Sequence, residues 1–145
     1  LTELGLTLPD APAPAANYVP HVQSGNLLFV SGQISAGPDG LIRGRLGADM
    51  DVAAGAAAAR ACGLALLAQA RAAAGSLDRI ARVVKLTGFV ASTPEFTDQP
   101  EVINGCSDLM VEVFGDRGRH ARAAVSAAAL PRGVAVEIEA IFELG

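Results

Sequence analysis

A long alanine-rich segment between Asp51 and Gly75 places the strongest constraint on what this chain can fold into. Its apolar residues recur at alternating spacings of four and three, which places them on one face of an α-helix. The residues on this face are mostly small: Val52, Ala56, Ala59, Gly63, Leu66 and Ala70. Small side chains let a helix axis approach a sheet closely, whereas a coiled coil would need larger residues there. The segment therefore predicts a helix that packs on a β-sheet and ends at Gly75.

Segments with strand character lie on both sides of this helix. Residues 19–23 and 27–34 predict two strands joined by Ser24-Gly25-Asn26, since these turn residues tolerate positive φ angles. Residues 79–91 are rich in Val, Ile, Thr and Phe and predict a further strand. A second apolar face then predicts a helix that ends at Gly115. The residues of this face are Val102, Cys106, Leu109 and Val113.

The chain closes with two apolar segments around Leu130-Pro131-Arg132-Gly133, which predict a hairpin of two long strands. The order of elements favours an α+β fold with a single mixed sheet and both helices on one face. A chain of 145 residues fits a single domain, residues 1–145. Four prolines between residues 9 and 20 predict an extended N-terminal arm, residues 1–20, that is neither a helix nor a central strand.

The composition bears on partners and compartment. Hydrophobic residues make up 51% and charged residues 18% of the chain, and the mean hydropathy of +0.38 is high for a soluble monomer. We therefore expect part of the apolar surface to close a subunit interface. A net charge of −4 and the lack of a basic run with interleaved aromatics argue against a nucleic-acid partner on electrostatic grounds. No apolar stretch has the uninterrupted length of a membrane span and the N-terminus lacks signal-peptide features, so we expect a cytoplasmic protein without a membrane partner.

The cysteines and histidines indicate neither a disulfide nor a metal site. Cys62 and Cys106 each lie in a helical pattern among apolar neighbours, as expected of small buried hydrophobic residues in a reducing compartment. His21 and His120 are the only histidines, and no cysteine pair has the spacing of metal ligands. We therefore expect no metal.

Arg122 is the leading candidate for a ligand-binding residue. It opens a strand of small apolar residues, where a guanidinium is costly to bury unless its planar fork meets a carboxylate or phosphate. The sequence leaves two kinds of partner open: a ligand, or Glu139 or Glu143 on an adjacent strand. A further candidate is Gly32, because glycine inside an apolar strand weakens packing unless a backbone or a ligand must come close.

Two motifs in the chain resemble those of a known family. Arg122, a short apolar strand, Leu130-Pro131, a turn and the Val-Glu-Ile-Glu of residues 136–139 resemble the C-terminal signature of the RidA/YjgF family, also called L-PSP endoribonuclease-like. The apolar strand that ends in Ser31-Gly32-Gln33 resembles a second family motif, and the elements between the two motifs follow the family order. The resemblance covers nearly the whole chain. It implies the chorismate-mutase-like fold, a homotrimer with a barrel-like centre, and ligand sites in the clefts between subunits.

The resemblance also implies roles for individual residues. Arg122 would hold a substrate carboxylate through a bidentate pair, and Glu137 would position and activate water as a general base. Gly32 would expose main-chain groups to the ligand, Ser31 would donate a further hydrogen bond, and Asn104 would lie at the site. Without the resemblance, glutamates that alternate with apolar residues along the last strand indicate only a solvated sheet face.

The chain departs from the family pattern in two places, which indicates a divergent branch. Ala123 and Ala124 follow the arginine where well-studied members carry a hydroxyl residue and often a cysteine, so we expect no thiol-dependent behaviour. The family's pocket tyrosine precedes a Val-Gln pair, whereas here His21 holds that place and Tyr18 lies three residues earlier. The imidazole could replace the phenol, Tyr18 could reach the pocket from a displaced strand, or His21 could be an ordinary surface residue.

The activity that the resemblance implies is a deaminase that hydrolyses reactive 2-imino or enamine acids to 2-oxo acids and ammonia, without a cofactor. An alternative is a regulatory protein that binds a small carboxylate in the same cleft without turnover. Glu137 separates these two hypotheses, because catalysis needs it near the ligand whereas binding needs only Arg122 and shape. An endoribonuclease, the activity in the family's older name, is the least favoured because the chain lacks a basic surface.

Overall fold

The computed structural model describes residues 4–11 and 18–145. Two helices, α1 and α2, and a mixed β-sheet confirm the α+β class. The helices are α1 (Val52–Ala74) and α2 (Gln99–Phe114), and the strands are β1 (His21–Ser24), β2 (Leu27–Ile34), β3 (Ala36–Gly37), β4 (Gly40–Leu41), β5 (Ile80–Ala91), β6 (Ala121–Ala127) and β7 (Val136–Leu144). The main sheet has the order β1-β2-β7-β5-β6, and β3 pairs with β4 in a separate short ribbon.

Helix α1 forms where the sequence predicts it. Asp51 caps its N-terminus by accepting a hydrogen bond from the Ala54 amide at 2.8 Å, and Gly75 ends it with a left-handed φ of 87°. The small residues of α1 allow it to pack closely against α2 as well as against the sheet. A Cβ on Gly63 would lie 2.8 Å from the Leu109 side chain of α2, so this glycine lets the two helices approach.

Both helices cover one face of the main sheet, as predicted. Along β7 every second residue is buried on the helix side: Val136, Ile138, Ala140, Phe142 and Leu144. The residues between them, including Glu137, point to the opposite side of the sheet, which we call the outer face. The α2 face is broader than predicted, since Ile103, Met110 and Phe114 are also buried while Val113 is only partly so.

The two C-terminal strands do not form the hairpin that the sequence predicts. Strand β5 lies between them, antiparallel to β7 and parallel to β6. Helix α2 connects β5 to β6, which is the kind of crossover that parallel neighbours require. A short turn between two apolar strands is compatible with a hairpin or with strands separated by a third one. The pairing of both strands with β5 decides between these arrangements. Arg122 on β6 is therefore two strands away from Glu139 and Glu143 on β7.

The N-terminal arm is described only in part, because residues 1–3 and 12–17 lie outside the described residues. Strand β1 begins at His21, two residues later than predicted. Pro20 has no amide hydrogen to donate, and its carbonyl accepts a hydrogen bond from the Ser31 amide at 2.9 Å. This bond attaches the end of the arm to β2.

Two further sequence predictions concern buried groups. Cys62 and Cys106 are buried free thiols, as predicted, and burial raises the pKa of Cys106 to about 12. Helix α1 is long and apolar enough to cross a membrane by length and composition, whereas the sequence predicts no such segment. Half of its apolar segment is buried inside the fold, so α1 packs as a core helix.

Candidate functional site

Arg122 lies near the start of β6, at the edge of the main sheet, and its side chain reaches α2. Its Nη1 donates to Asn104 Oδ1 at 2.7 Å and to Ser107 Oγ at 3.2 Å. Within residues 4–11 and 18–145, Nη2 and Nε have no hydrogen-bond partner and no carboxylate forms an ion pair with this arginine. Neutral groups thus fix the guanidinium through one nitrogen and leave the other two able to bind a planar anion.

Ser107 connects Arg122 to His120. The distance from Ser107 Oγ to His120 Nε2 is 2.9 Å, and that from His120 Nδ1 to the Gly118 carbonyl oxygen is 2.6 Å. Because a carbonyl oxygen only accepts, Nδ1 carries a proton. Burial, and more weakly the charge of Arg122, lowers the pKa of His120, although the bond to Gly118 opposes this. In the neutral imidazole Nε2 is then the acceptor, and Ser107 donates to it. We call Arg122, Asn104, Ser107 and His120 the arginine cluster.

The arginine cluster lines an open cleft of about 290 Å³ between α2 and the start of β6. The other lining residues are Asp108, Val111 and Arg119. Arg119 forms an ion pair with Asp116 at 3.4 Å, so Arg122 is the cation of the cleft that lacks a carboxylate partner in the described part of the chain. Within that part, no three His, Cys, Asp or Glu side chains converge where a metal could bind.

Glu137 lies on the outer face, directly over Gly32 of β2. A Cβ at position 32 would collide with Glu137 Oε2, so any side chain there would displace this carboxylate. The group that comes close to Gly32 is therefore Glu137 of the same chain. Burial, and then the neighbouring charge of Glu139, raises the pKa of the half-buried Glu137. A raised pKa makes the ionised carboxylate a stronger base.

The remaining predicted residues lie near β1, at the opposite edge of the sheet from Arg122. Ser31 Oγ donates to the Val19 carbonyl at 2.9 Å, so its proton is used within the chain. The same bond holds the segment that carries Tyr18 beside Ser31, and Tyr18 is 53% exposed. His21 is partly buried and pairs with Val30.

Within one chain the predicted residues thus lie in separate groups. Arg122 and Asn104 are in contact on the helix side of the sheet, whereas Glu137 and Gly32 are in contact on the outer face. Glu137 is offset from Arg122 by two strands and three residues, which by ordinary strand spacing is roughly 14 Å between Cα atoms. A site that uses both Arg122 and Glu137 needs a second chain.

Sequence reasoning missed Ser107 and considered His120 only in the expectation of no metal site. The available signal was the spacing on α2, because Ser107 follows Asn104 by three residues and so shares its helix face. His120 could not be linked to Ser107 in this way, since α2 and β6 meet only in the folded chain.

Comparisons with known proteins agree with this architecture. The family model described as "YjgF/chorismate mutase-like, putative endoribonuclease" matches residues 1–142. Protein TCP17 of Trypanosoma cruzi is 54% identical over 146 residues, which cover 99% of this chain and 91% of that protein.

Solved structures of related sequence share this fold. The crystal structure of Atu1372, a protein of unknown function from Agrobacterium tumefaciens, is 52% identical with a TM-score of 0.92, and the match covers 99% of this chain and 89% of that one. The YjgF gene product from E. coli is 32% identical with a TM-score of 0.65, over 92% and 93% of the two chains. The chain belongs to the YjgF/chorismate mutase-like family, and its fold is that of this family.

Proposed function

We propose that the protein hydrolyses reactive 2-imino acids and their enamine tautomers to 2-oxo acids and ammonia. The observation that carries this proposal is the state of Arg122, which is fixed through Nη1 and keeps Nη2 and Nε free of protein partners in the described part of the chain. A guanidinium held in this way matches the two oxygens of a carboxylate. The reaction requires no cofactor, because imines already hydrolyse in water and positioning with modest acid–base help is enough.

In the proposed reaction, Arg122 holds the substrate carboxylate and Glu137 of a neighbouring subunit directs a water molecule to the imine carbon. The water oxygen bonds to that carbon as the C=N π electrons move to nitrogen, and the water proton passes to Glu137. Glu137 returns the proton to nitrogen, which gives a carbinolamine. The hydroxyl proton of this intermediate then passes through Glu137 to the amine nitrogen, and the oxygen lone pair forms the C=O bond as the carbon–nitrogen bond breaks to release ammonia and the 2-oxo acid. The raised pKa of Glu137 suits a group that must take and return a proton.

A homotrimer is part of the same proposal. The outer face exposes apolar side chains at both edges of the sheet, with Val22 at 53%, Phe29 at 41% and Val125 at 44% exposure. Apolar residues on one side of a sheet favour burial against another surface. Other copies of this chain would cover the outer face and bring Glu137 of one subunit toward the Arg122 cleft of the next.

A second candidate is a regulatory protein that binds a small carboxylate without turnover. It is favoured by the location of Arg122 and Glu137 on opposite faces, which leaves a single chain with a carboxylate anchor but without this base beside it. The endoribonuclease in the family's description has less support, because the net charge is −4 and Arg119 in the cleft is already paired with Asp116.

The deaminase activity can be tested in an assay in which an amino-acid oxidase generates an imino acid in solution and semicarbazide captures it. An imine hydrolase competes with this capture, so the wild type should lower the yield of semicarbazone. Arg122→Lys should lose most of that effect, because an ammonium does not reproduce the planar fork. Equal yields with and without the protein, for aliphatic and aromatic substrates, would contradict the deaminase and favour the regulatory carboxylate-binding protein.

A further inference from the structure

Three groups of the arginine cluster are arranged as a nucleophile, a base and a group that orients the base. Ser107 Oγ lies 2.9 Å from His120 Nε2, and His120 Nδ1 donates to the Gly118 carbonyl oxygen at 2.6 Å. A serine is activated for attack when a base lies within hydrogen-bond reach and a third group fixes the ring of that base. Here a main-chain carbonyl takes the place that a carboxylate has in the Ser-His-Asp triad.

His120 has the protonation state that a base requires. The Gly118 oxygen can only accept a hydrogen bond, so the neutral ring carries its proton on Nδ1 and leaves Nε2 free to take the proton of Ser107. Burial, and more weakly the charge of Arg122, lowers the pKa of His120. The ring is therefore mostly neutral at neutral pH.

The Ser107 hydroxyl is accessible and lies beside a positive charge. Ser107 and His120 both line the open cleft of about 290 Å³, to which Val111 adds an apolar side chain. Arg122 Nη1 donates to one lone pair of Ser107 Oγ at 3.2 Å, which leaves the second lone pair for attack on a ligand atom. The charge of Arg122 next to this oxygen stabilises the negative charge that develops during the attack. A cleft of this volume is at the small end for ligand pockets, so it suits a short acyl group.

We propose that Ser107 and His120 form a catalytic dyad that hydrolyses small oxygen esters through an acyl-serine intermediate. Ser107 Oγ bonds to the ester carbonyl carbon as the C=O π electrons move to oxygen, and the hydroxyl proton passes to His120 Nε2. The C=O bond then re-forms as the bond from carbon to the alcohol oxygen breaks, and His120 gives its proton to that oxygen. Water attacks the acyl-serine in the same two steps, with His120 again as the base, which releases the carboxylic acid and restores Ser107.

This activity is separate from imine hydrolysis. The proposed deaminase uses the free edge of Arg122 together with Glu137 of a neighbouring subunit, whereas Ser107 on α2 and His120 just before β6 meet within one chain. Ester hydrolysis therefore requires neither the trimer nor Glu137. Failure of either proposal leaves the other one standing.

A fluorophosphonate probe tests the dyad, because it reacts selectively with serines that a base activates. The full chain is incubated with the probe at neutral pH and digested, and mass spectrometry locates the label. We expect the label on Ser107. Ser126 is an internal control, since it is an exposed serine whose hydroxyl lies 2.7 Å from the Ser92 hydroxyl, which is not a base. No label on Ser107, or equal labelling of Ser126, would overturn the dyad.

Two variants test the role of each partner. His120→Gln keeps an acceptor for the Ser107 hydroxyl but cannot take its proton, and Ser107→Ala removes the nucleophile. The release of nitrophenol from p-nitrophenyl acetate should fall roughly hundredfold in both variants, because a positioned base contributes at least that much. Ser126→Ala should keep the wild-type rate. Labelling of Ser107 that persists undiminished in His120→Gln would overturn the dyad. If either variant fails to fold, the wild type decides: its label on Ser107 should disappear when the chain is unfolded in urea, and a label that survives unfolding would contradict activation by the fold.

Discussion

The arginine cluster and the outer face differ in how much of each is complete within one chain. In the cluster, hydrogen bonds of 2.6 to 3.2 Å link Arg122, Asn104, Ser107, His120 and the Gly118 carbonyl. On the outer face Glu137 rests against Gly32, while apolar side chains around it stay exposed. The difference teaches that the proposed ligand anchor is complete within one folded chain, whereas the proposed catalysis depends on assembly.

The largest effect is expected at the anchor itself. A saturating 2-oxo acid should stabilise the wild type by mass action, by about 2.7 kcal/mol at a hundredfold excess over Kd, and Arg122→Ala should abolish that gain. Arg119→Ala is the matched control, because Arg119 lines the same cleft but pairs with Asp116. Thermal unfolding with and without 2-oxobutanoate measures both variants. A ligand-induced shift that survives Arg122→Ala would mean that the carboxylate binds elsewhere.

The outer face should control the assembly state. Val125→Asp places a charge among exposed apolar residues of this face and should convert a trimer to monomers, since a buried unpaired carboxylate opposes association. Ala57→Asp, on the exposed side of α1, should leave the trimer intact. Light scattering at micromolar concentration gives the mass. A monomeric wild type would remove the basis for a site between subunits.

The contact between Gly32 and Glu137 should matter for turnover more than for binding. In Gly32→Ala the new methyl group displaces the Glu137 carboxylate, and we expect imine hydrolysis to fall roughly tenfold because a general base loses its position. Gly37→Ala is the control, because there a Cβ meets only Ile42 at 3.8 Å. The semicarbazide assay reports turnover and calorimetry reports carboxylate affinity. An unchanged rate in Gly32→Ala would separate Glu137 from the chemistry.

The smallest effect concerns stability and pH. The folded pKa of Glu137 is raised, so the folded state holds this proton more tightly than the unfolded state does. The contribution of Glu137 to stability is therefore present below its ordinary pKa and is lost as the pH rises through the folded pKa. Glu137→Gln should raise Tm at pH 7, and the gain should shrink toward pH 4. Glu95→Gln, in an exposed turn, is the matched control.

Much of the fold was predictable because its signals are local. Asp51 and Gly75 mark the ends of α1 in the sequence, and the bounds of β2 match the predicted residues 27–34. The hairpin prediction was wrong because the insertion of β5 between β6 and β7 is a long-range pairing with no local signal.

The candidate site was predictable only in part, for the same reason. The residue pattern singled out Arg122 and Gly32, the resemblance added Asn104 and Glu137, and the fold places the four in two contacting pairs. The bond between Ser107 and His120 joins residues 13 apart on α2 and β6, so it arises from the packing of the crossover helix on the sheet edge.

The central claim, that Arg122 of one subunit works with Glu137 of another, is tested most directly by mixing two inactive variants. Arg122→Ala and Glu137→Gln should each hydrolyse imines poorly when assayed alone. After joint unfolding and refolding in equal amounts, about one quarter of the clefts in a cyclic trimer would combine a native Arg122 with a native Glu137. The account predicts recovery of about a quarter of wild-type activity in the semicarbazide assay. Activity that stays at the level of the separate variants, in mixed trimers confirmed by native mass spectrometry, would contradict it.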